Sequence, residues 1–159
     1  MTAVYIGIGS NLDMPRAQVA AAFEEIAALP QTRLTGRSPM YLSEPVDAPA
    51  QPPYVNAVAA AQTALTPQAL LAELQSLETN HGRERPFRNA PRTLDLDLLL
   101  FGEARLETPA LTLPHPRMHL RAFVLRPLLD LDPQATVPGR GAASELLRAC
   151  ASQPLQRLG

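Results

Sequence analysis

Thr93-Leu-Asp-Leu-Asp-Leu-Leu-Leu-Phe101, closed by Gly102, alternates apolar and acidic residues with the period of a β-strand. Side chains on a strand point to opposite faces in turn and rise about 3.3 Å per residue. Leu94, Leu96, Leu98 and Leu100 are therefore expected to enter a core. Asp95 and Asp97 share the other face, with Cα atoms about 6.6 Å apart. Upstream, Thr66-Pro67 is a strong helix start, a capping hydroxyl followed by Pro at the first position. Leu70, Leu71, Leu74 and Leu77 form that helix's apolar stripe, and Gly82 is a natural stop. Tyr54–Thr63 has strand-like ends, yet Ala59-Ala60-Ala61 suits a helix equally well. Arg33–Ser43 reads as an extended segment broken by Gly36 and Pro39. At the start of the chain, Ala3–Ile8 is a short β-type run ending at Gly9. A helix follows, with Asp13 as candidate cap, Pro15 in the first turn, and Val19, Phe23 and Ile26 at helical spacing. Downstream, Arg105–Glu107 can return as a short strand, Arg117–Leu125 has helical spacing that stops before Pro127, and Ser144–Ala151 is a final helix. The order β-α-β-β-α-β predicts an α+β fold, a ferredoxin-like split β-α-β sandwich: a mainly antiparallel sheet with helices packed on one face.

The 159 residues suit a single domain, expected to span 1–159. Fourteen basic and 15 acidic residues give a net charge of −1, which argues against a nucleic-acid coat or a polybasic membrane surface. All 14 basic residues are Arg. The single Cys, Cys150, excludes an intramolecular disulfide and favours a reducing, cytoplasmic setting. The first residues lack a secretory pattern, and no window is long and apolar enough to span a bilayer. Pro is abundant at 17 and is concentrated at 45–53 and 109–116. Residues 44–53 and 82–90 are expected to be mobile lids, from their length, proline content and position beside the candidate sites.

Four clusters carry chemistry. Asp is poor in strands, and two carboxylates on one face repel. A divalent cation between Asp95 and Asp97 reverses that repulsion, and Mg²⁺ favours one or two carboxylates completed by waters and phosphates; the alternative is a solvated strand face. Immediately before them, Arg83, Arg85, Arg88 and Arg92 form a local anion trap, or else a solvated basic loop. His115 is held between Pro114 and Pro116, with Arg117 and Arg121 close in sequence, as a second phosphate-contacting segment or a structural His. Tyr54 and Asn56 share a face on a strand, where a ring and an amide can stack on a heterocycle and read its edge, or simply pack. Gly7-Ile-Gly9 lacks a third glycine and is no nucleotide fingerprint.

These motifs, in order from Tyr5-Ile-Gly-Ile-Gly-Ser-Asn-Leu12 through Tyr54-Val-Asn56, Gly82-Arg83, Pro91-Arg-Thr-Leu-Asp-Leu-Asp97 and Leu113-Pro-His-Pro-Arg-Met118 to Arg121-Ala-Phe123, resemble the 6-hydroxymethyl-7,8-dihydropterin pyrophosphokinases of folate biosynthesis. The resemblance implies transfer of pyrophosphate from ATP to the pterin hydroxymethyl group, with release of AMP. It implies that Asp95 and Asp97 hold two Mg²⁺ ions. It assigns Arg83 and Arg92 to catalysis, and Gln75, Glu78, Arg83, Arg85, Arg92, His115 and Arg121 to ATP. Tyr54 and Phe123 would sandwich the pterin, with Asn56 and the stretch containing Ser43 and Val46 at its edge. The chain departs from some members at Asn89-Ala90, where they carry Trp-Gly, and at Pro116, where they carry Tyr. The expected partners are the two small substrates, with no nucleic acid and no membrane, and the expected state is a monomer. A metal-dependent nuclease and a ligand-binding module without turnover are the rivals; an assay for AMP separates all three.

Overall fold

A computed structural model describes residues 1–44, 51–82 and 93–158. Val46 and the arginines Arg83, Arg85, Arg88 and Arg92 lie outside the described residues, as does most of the two expected lids.

The central strand is β1 (Thr2–Ser10). It pairs antiparallel with β4 (Tyr54–Thr63) on one side and β5 (Asp95–Phe101) on the other. On the far edge of β4 lie β2 (Thr32–Arg37) and β3 (Met40–Ser43), two parts of one extended run broken between Arg37 and Met40. With α1 (Pro15–Ala27) and α2 (Pro67–Asn80) connecting them, these strands realise the expected ferredoxin-like order. The Ala-rich β4 is a strand because it is central, with Val55, Ala57, Ala59 and Ala61 on one buried face and Val58 on the other. Burial on both faces decides what local propensity leaves open.

Helices cover both faces of the sheet, which corrects the one-face expectation. On the first face, α1 and α2 bring Val19, Phe23, Ile26, Leu70 and Leu74 against Val4, Ile6, Ile8, Leu94, Leu96 and Leu98. On the second, α3 (Ala122–Leu131) and α4 (Ala143–Ala149) bring Val124, Leu125, Leu128 and Ala143 against Val58, Leu99 and Leu100. Leu100 was expected on the first face. A bulge in the β1–β5 register, from Tyr5↔Leu100 to Ile6↔Leu98, inserts Leu99 as an extra residue and turns Leu100 to the second layer.

Three local expectations also change. Met14, not Asp13, caps α1; both sit in the left-handed region, at φ 62° and 57°, and no side chain caps the helix. Pro15 at its start removes one amide that would otherwise need a partner. The 117–125 segment opens as a 3₁₀ turn, Met118–Leu120, before Arg121 adopts an extended backbone and α3 begins. That helix runs through Pro127, which lacks an N–H for the Phe123 carbonyl; burial of Val124, Leu125, Pro127 and Leu128 offsets that loss. Thr66 caps α2 as expected, accepting from Ala69 N at 3.1 Å, and Gly82 follows it at φ +77°.

The remaining strands are short. β6 (Leu106–Glu107) pairs with β7 (Thr112–Leu113), and β8 (Thr136–Val137) with β9 (Gly141–Ala142). β10 (Leu155–Leu158) adds itself antiparallel to β3 and extends the sheet to six strands. Among the described residues, no helix is long and apolar enough to cross a membrane.

Candidate active site

The second face of the sheet is filled only in part. Where α3 begins, its apolar layer stops and leaves a cavity of about 190 Å³. The floor is bare: on β1, Ile6 and Ile8 turn to the first core, so Gly7 and Gly9 face the cavity and put no side chain there. Strand alternation brings Tyr54 and Asn56 from β4, Ser43 from the end of β3, and Asp95 and Asp97 from β5 to the same cavity. The first turn of α3 closes the other side with Arg121 and Phe123.

Each group is held by something identifiable. In register, Asp97 lies opposite Gly7 and Asp95 opposite Gly9. Asn56 is buried, and Ser43 Oγ donates to its Oδ1 at 2.6 Å. A Cβ at residue 9 would sit 3.2 Å from Asn56 Nδ2, so glycine there keeps the amide in place. The Arg121 guanidinium lies 5.4 Å from the centre of the Phe123 ring, a cation–π contact. It has no carboxylate partner among the described residues.

His115 does not line this cavity, but it stands near enough to Asp97 and Arg121 to feel their charges. Its N–H donates to the Leu99 carbonyl at 2.9 Å, and its Nδ1 accepts from Arg117 N at 3.1 Å. Burial pushes the imidazole below its ordinary range; Asp97 pulls it up, and Arg121 and Arg117 push it down. A neutral ring whose Nδ1 accepts carries its proton on Nε2, so His115 is a hydrogen-bond donor. It lines a neighbouring polar cavity of about 510 Å³ together with Arg105 and Arg140.

Gln75 and Glu78 are not brought to the cavity. Gln75 is exposed on α2. Glu78 is buried, 5% exposed, and its carboxylate accepts from Leu96 N at 2.9 Å, between the two aspartates of β5. Sequence reasoning missed the floor. Its signal was there, glycines at alternate positions of a strand, which mark close approach of a ligand or backbone. A larger groove of about 830 Å³ between α3, α4 and β10 contains none of the expected residues.

Among the described residues, no third His, Cys, Asp or Glu joins the aspartate pair in a metal-sized cluster. Two carboxylates with the remaining positions left to water and phosphate fit Mg²⁺ and do not fit a closed structural zinc site. A carboxylate pair, a guanidinium with no carboxylate partner among the described residues and an aromatic-and-amide wall stand together in one cavity, the kinds of group that phosphoryl transfer to a small ring-bearing molecule calls for. The chain belongs to the family of 7,8-dihydro-6-hydroxymethylpterin-pyrophosphokinases, whose model matches residues 5–133. It is 49% identical over 155 residues to a 2-amino-4-hydroxy-6-hydroxymethyldihydropteridine pyrophosphokinase of Pseudomonas aeruginosa, covering 98% of this chain and 96% of that one. To the Haemophilus influenzae protein of the same name it is 41% identical over 158 residues, covering 99% of each. Its fold matches a solved Plasmodium falciparum HPPK-DHPS with pteroate at a TM-score of 0.74 and 10% identity. That match covers 93% of this chain, which spans only 42% of the longer one.

Proposed function

We infer that this chain moves a pyrophosphoryl group from ATP to the hydroxymethyl oxygen of 6-hydroxymethyl-7,8-dihydropterin, and that the cavity over Gly7 and Gly9 is where it does so. The observation that carries the reading is the convergence of Tyr54, Asn56 and Phe123 with Asp95, Asp97 and Arg121 in one cavity. The pterin would lie on the bare floor against Tyr54 and Phe123, with Asn56 at its edge. Its hydroxymethyl oxygen then points toward the carboxylate end. That oxygen bonds to the β-phosphorus, the bond from the β-phosphorus to the α–β bridging oxygen breaks, AMP leaves, and the hydroxyl proton passes to solvent.

Asp95 and Asp97 are the residues that would hold Mg²⁺, two ions by resemblance, which when bound neutralise charge on the phosphates. Arg121 offers the transferring group a guanidinium with no carboxylate partner among the described residues. His115 offers a neutral ring N–H donor from the neighbouring cavity. Glu78 holds the β5 backbone between the aspartates. Arg83, Arg85 and Arg92 join the phosphate contacts by resemblance, as does Gln75 on the nucleotide side, and Val46 joins the pterin edge. Catalysis is then mainly positioning and charge stabilisation. The chain acts as one domain, as a monomer, in the cytoplasm.

Incubation with Mg-ATP and the reduced pterin tests the reading. AMP should appear in step with the pyrophosphorylated pterin, and only when both substrates and Mg²⁺ are present. ATP-independent cleavage of nucleic acid would indicate the nuclease instead, and binding without AMP would indicate the ligand-binding module.

A further inference from the structure

We propose that Gln153, on the turn between α4 and β10, is a positioning residue that aims Arg121 at the transferring group. The proposal rests on the role read above for Arg121 and adds to it the group that fixes its place.

Arg121 stands alone between two helical pieces. The 3₁₀ turn Met118–Leu120 ends before it and α3 begins after it, and its own backbone is extended, at φ −123° and ψ 109°. Its side chain does not cap α3. The cap comes instead from far along the chain. Gln153 Oε1 accepts from Ala122 N at 2.9 Å, and Gln153 Nε2 donates to the Leu120 carbonyl at 2.7 Å. The direction of this carboxamide follows from its partners, because a backbone N–H only donates and a backbone carbonyl only accepts. The Leu120 carbonyl belongs to the peptide group before the Arg121 Cα, and the Ala122 amide to the peptide group after it. Each peptide group is a rigid plane, so one side chain that grips both fixes φ and ψ of Arg121.

Packing leaves that task open. Arg121 and Phe123 line the cavity of about 190 Å³ and also a second one of about 420 Å³, which Gln153 and Leu155 line with them. With open space at two cavities, the direction of the guanidinium depends on the backbone that carries it. Gln153 is itself anchored at both ends. Its N–H donates to the Cys150 carbonyl at 3.0 Å, and two residues on, Leu155 opens β10 opposite Ser43 of β3. The clamp thus ties the first turn of α3 to the strand that brings Ser43 to the active cavity. Gln153 lies beyond residues 5–133, the part of the chain that matches the family model. A segment outside the matched region therefore sets the geometry of a residue inside it.

The test is a double-mutant cycle on AMP formation at saturating pterin. It uses the parent chain, Gln153→Ala, Arg121→Ala and the chain with both changes, with thermal melts alongside. Gln153→Ala should lower kcat/KM for ATP by roughly tenfold or more, the scale of a misplaced contact at a transferring group. Arg121→Ala should lose at least as much. Adding Gln153→Ala to Arg121→Ala should then cost less than about twofold, because the residue that Gln153 positions is gone. Gln153→Glu is a second probe. It keeps an oxygen for the Ala122 amide but sets another against the Leu120 carbonyl, so the cap remains, one peptide plane is released, and kcat/KM for ATP should still fall. If the two losses multiply in the double variant, Gln153 supports the fold at large, and the proposal fails while the role of Arg121 stands. Parental kcat/KM from Gln153→Ala also overturns it. Should Gln153→Ala not fold, the same cycle is run with Gln153→Glu and read by the same outcomes. Parental kcat/KM from Arg121→Ala removes the role read for Arg121 and the proposal with it, and no AMP from the parent chain removes the functional reading as a whole.

Discussion

The two faces of the sheet are built from the same strands and end differently. Facing α1 and α2, alternate residues along β1 and along β5 with the Leu94 just before it are large aliphatics: Val4, Ile6, Ile8, Leu94, Leu96 and Leu98. Facing α3, the alternate residues begin apolar at Leu99 and Val58 and then give way to Asp97, Asp95, Gly7, Gly9, Asn56 and Tyr54. One face is closed along its length; the other is closed at one end and chemically equipped at the other. The difference teaches that stability and chemistry are separated here by the strand period itself. A residue's parity, odd or even, tells which role it has, and the bulge at Leu99 is where parity is exchanged.

This division can be broken most forcefully on the open face. Replacing Asp95 or Asp97 by Ala should lower the rate of AMP formation at saturating substrates by three orders of magnitude or so, since charge neutralisation at the transferring group is lost. Asp97→Ala should melt at or slightly above the parent temperature, because a like-charge repulsion is relieved and no cavity forms. A melt that collapses would put the aspartates among the groups that hold the fold. The closed face should answer in the opposite way. Leu74, fully buried between α2 and the sheet, should cost about 2–5 kcal/mol of unfolding free energy when cut to Ala. The AMP rate of the molecules that remain folded should stay near that of the parent.

Smaller effects sharpen the boundary. Tyr54→Ala or Phe123→Ala should weaken pterin binding by roughly 1–3 kcal/mol in calorimetric titration. ATP affinity should barely move; equal losses for both ligands would mean that the aromatic wall is not specific to the ring. Least of all, Thr66→Ala should cost about 1 kcal/mol, lowering Tm by about 2–4 °C, because only the Ala69 amide loses its partner. Activity should not change, since Thr66 is exposed at the start of α2, away from the cavity.

Much of this plan is legible in the residues because it follows from local rules. Alternation exposes β5, a hydroxyl followed by Pro exposes the start of α2, and two acidic residues on one strand face expose the carboxylate end of the cavity. What is not legible depends on neighbours distant in sequence. In β10, Leu155 and Leu158 lie three apart, so no period of two marks a strand; it forms because β3 offers a free edge, and its two leucines reach opposite cores. Pro127 would end a solvent-exposed helix, yet a helix buried along most of its length tolerates it. The second helical layer was hidden because strand patterning marks one face as polar, when half of that face is polar for a ligand and half is apolar for α3. Glu78 sits within an apolar stripe, and no local pattern announces that its carboxylate will meet the Leu96 backbone.

That carboxylate has a consequence for how copies of the chain meet one another. β5 stands last in the strand order, with β1 on one side and no strand on the other among the described residues. A terminal strand offers its outward N–H and C=O groups as a template on which another chain can add itself. The outward amide between the two aspartates is already taken, by a negatively charged group delivered from α2. An incoming strand would have to displace an internal hydrogen bond and then lie alongside two further carboxylates. The acidic strand thus guards its own border, and the residues that would draw a nucleotide to the edge of the sheet also keep a second sheet from joining it.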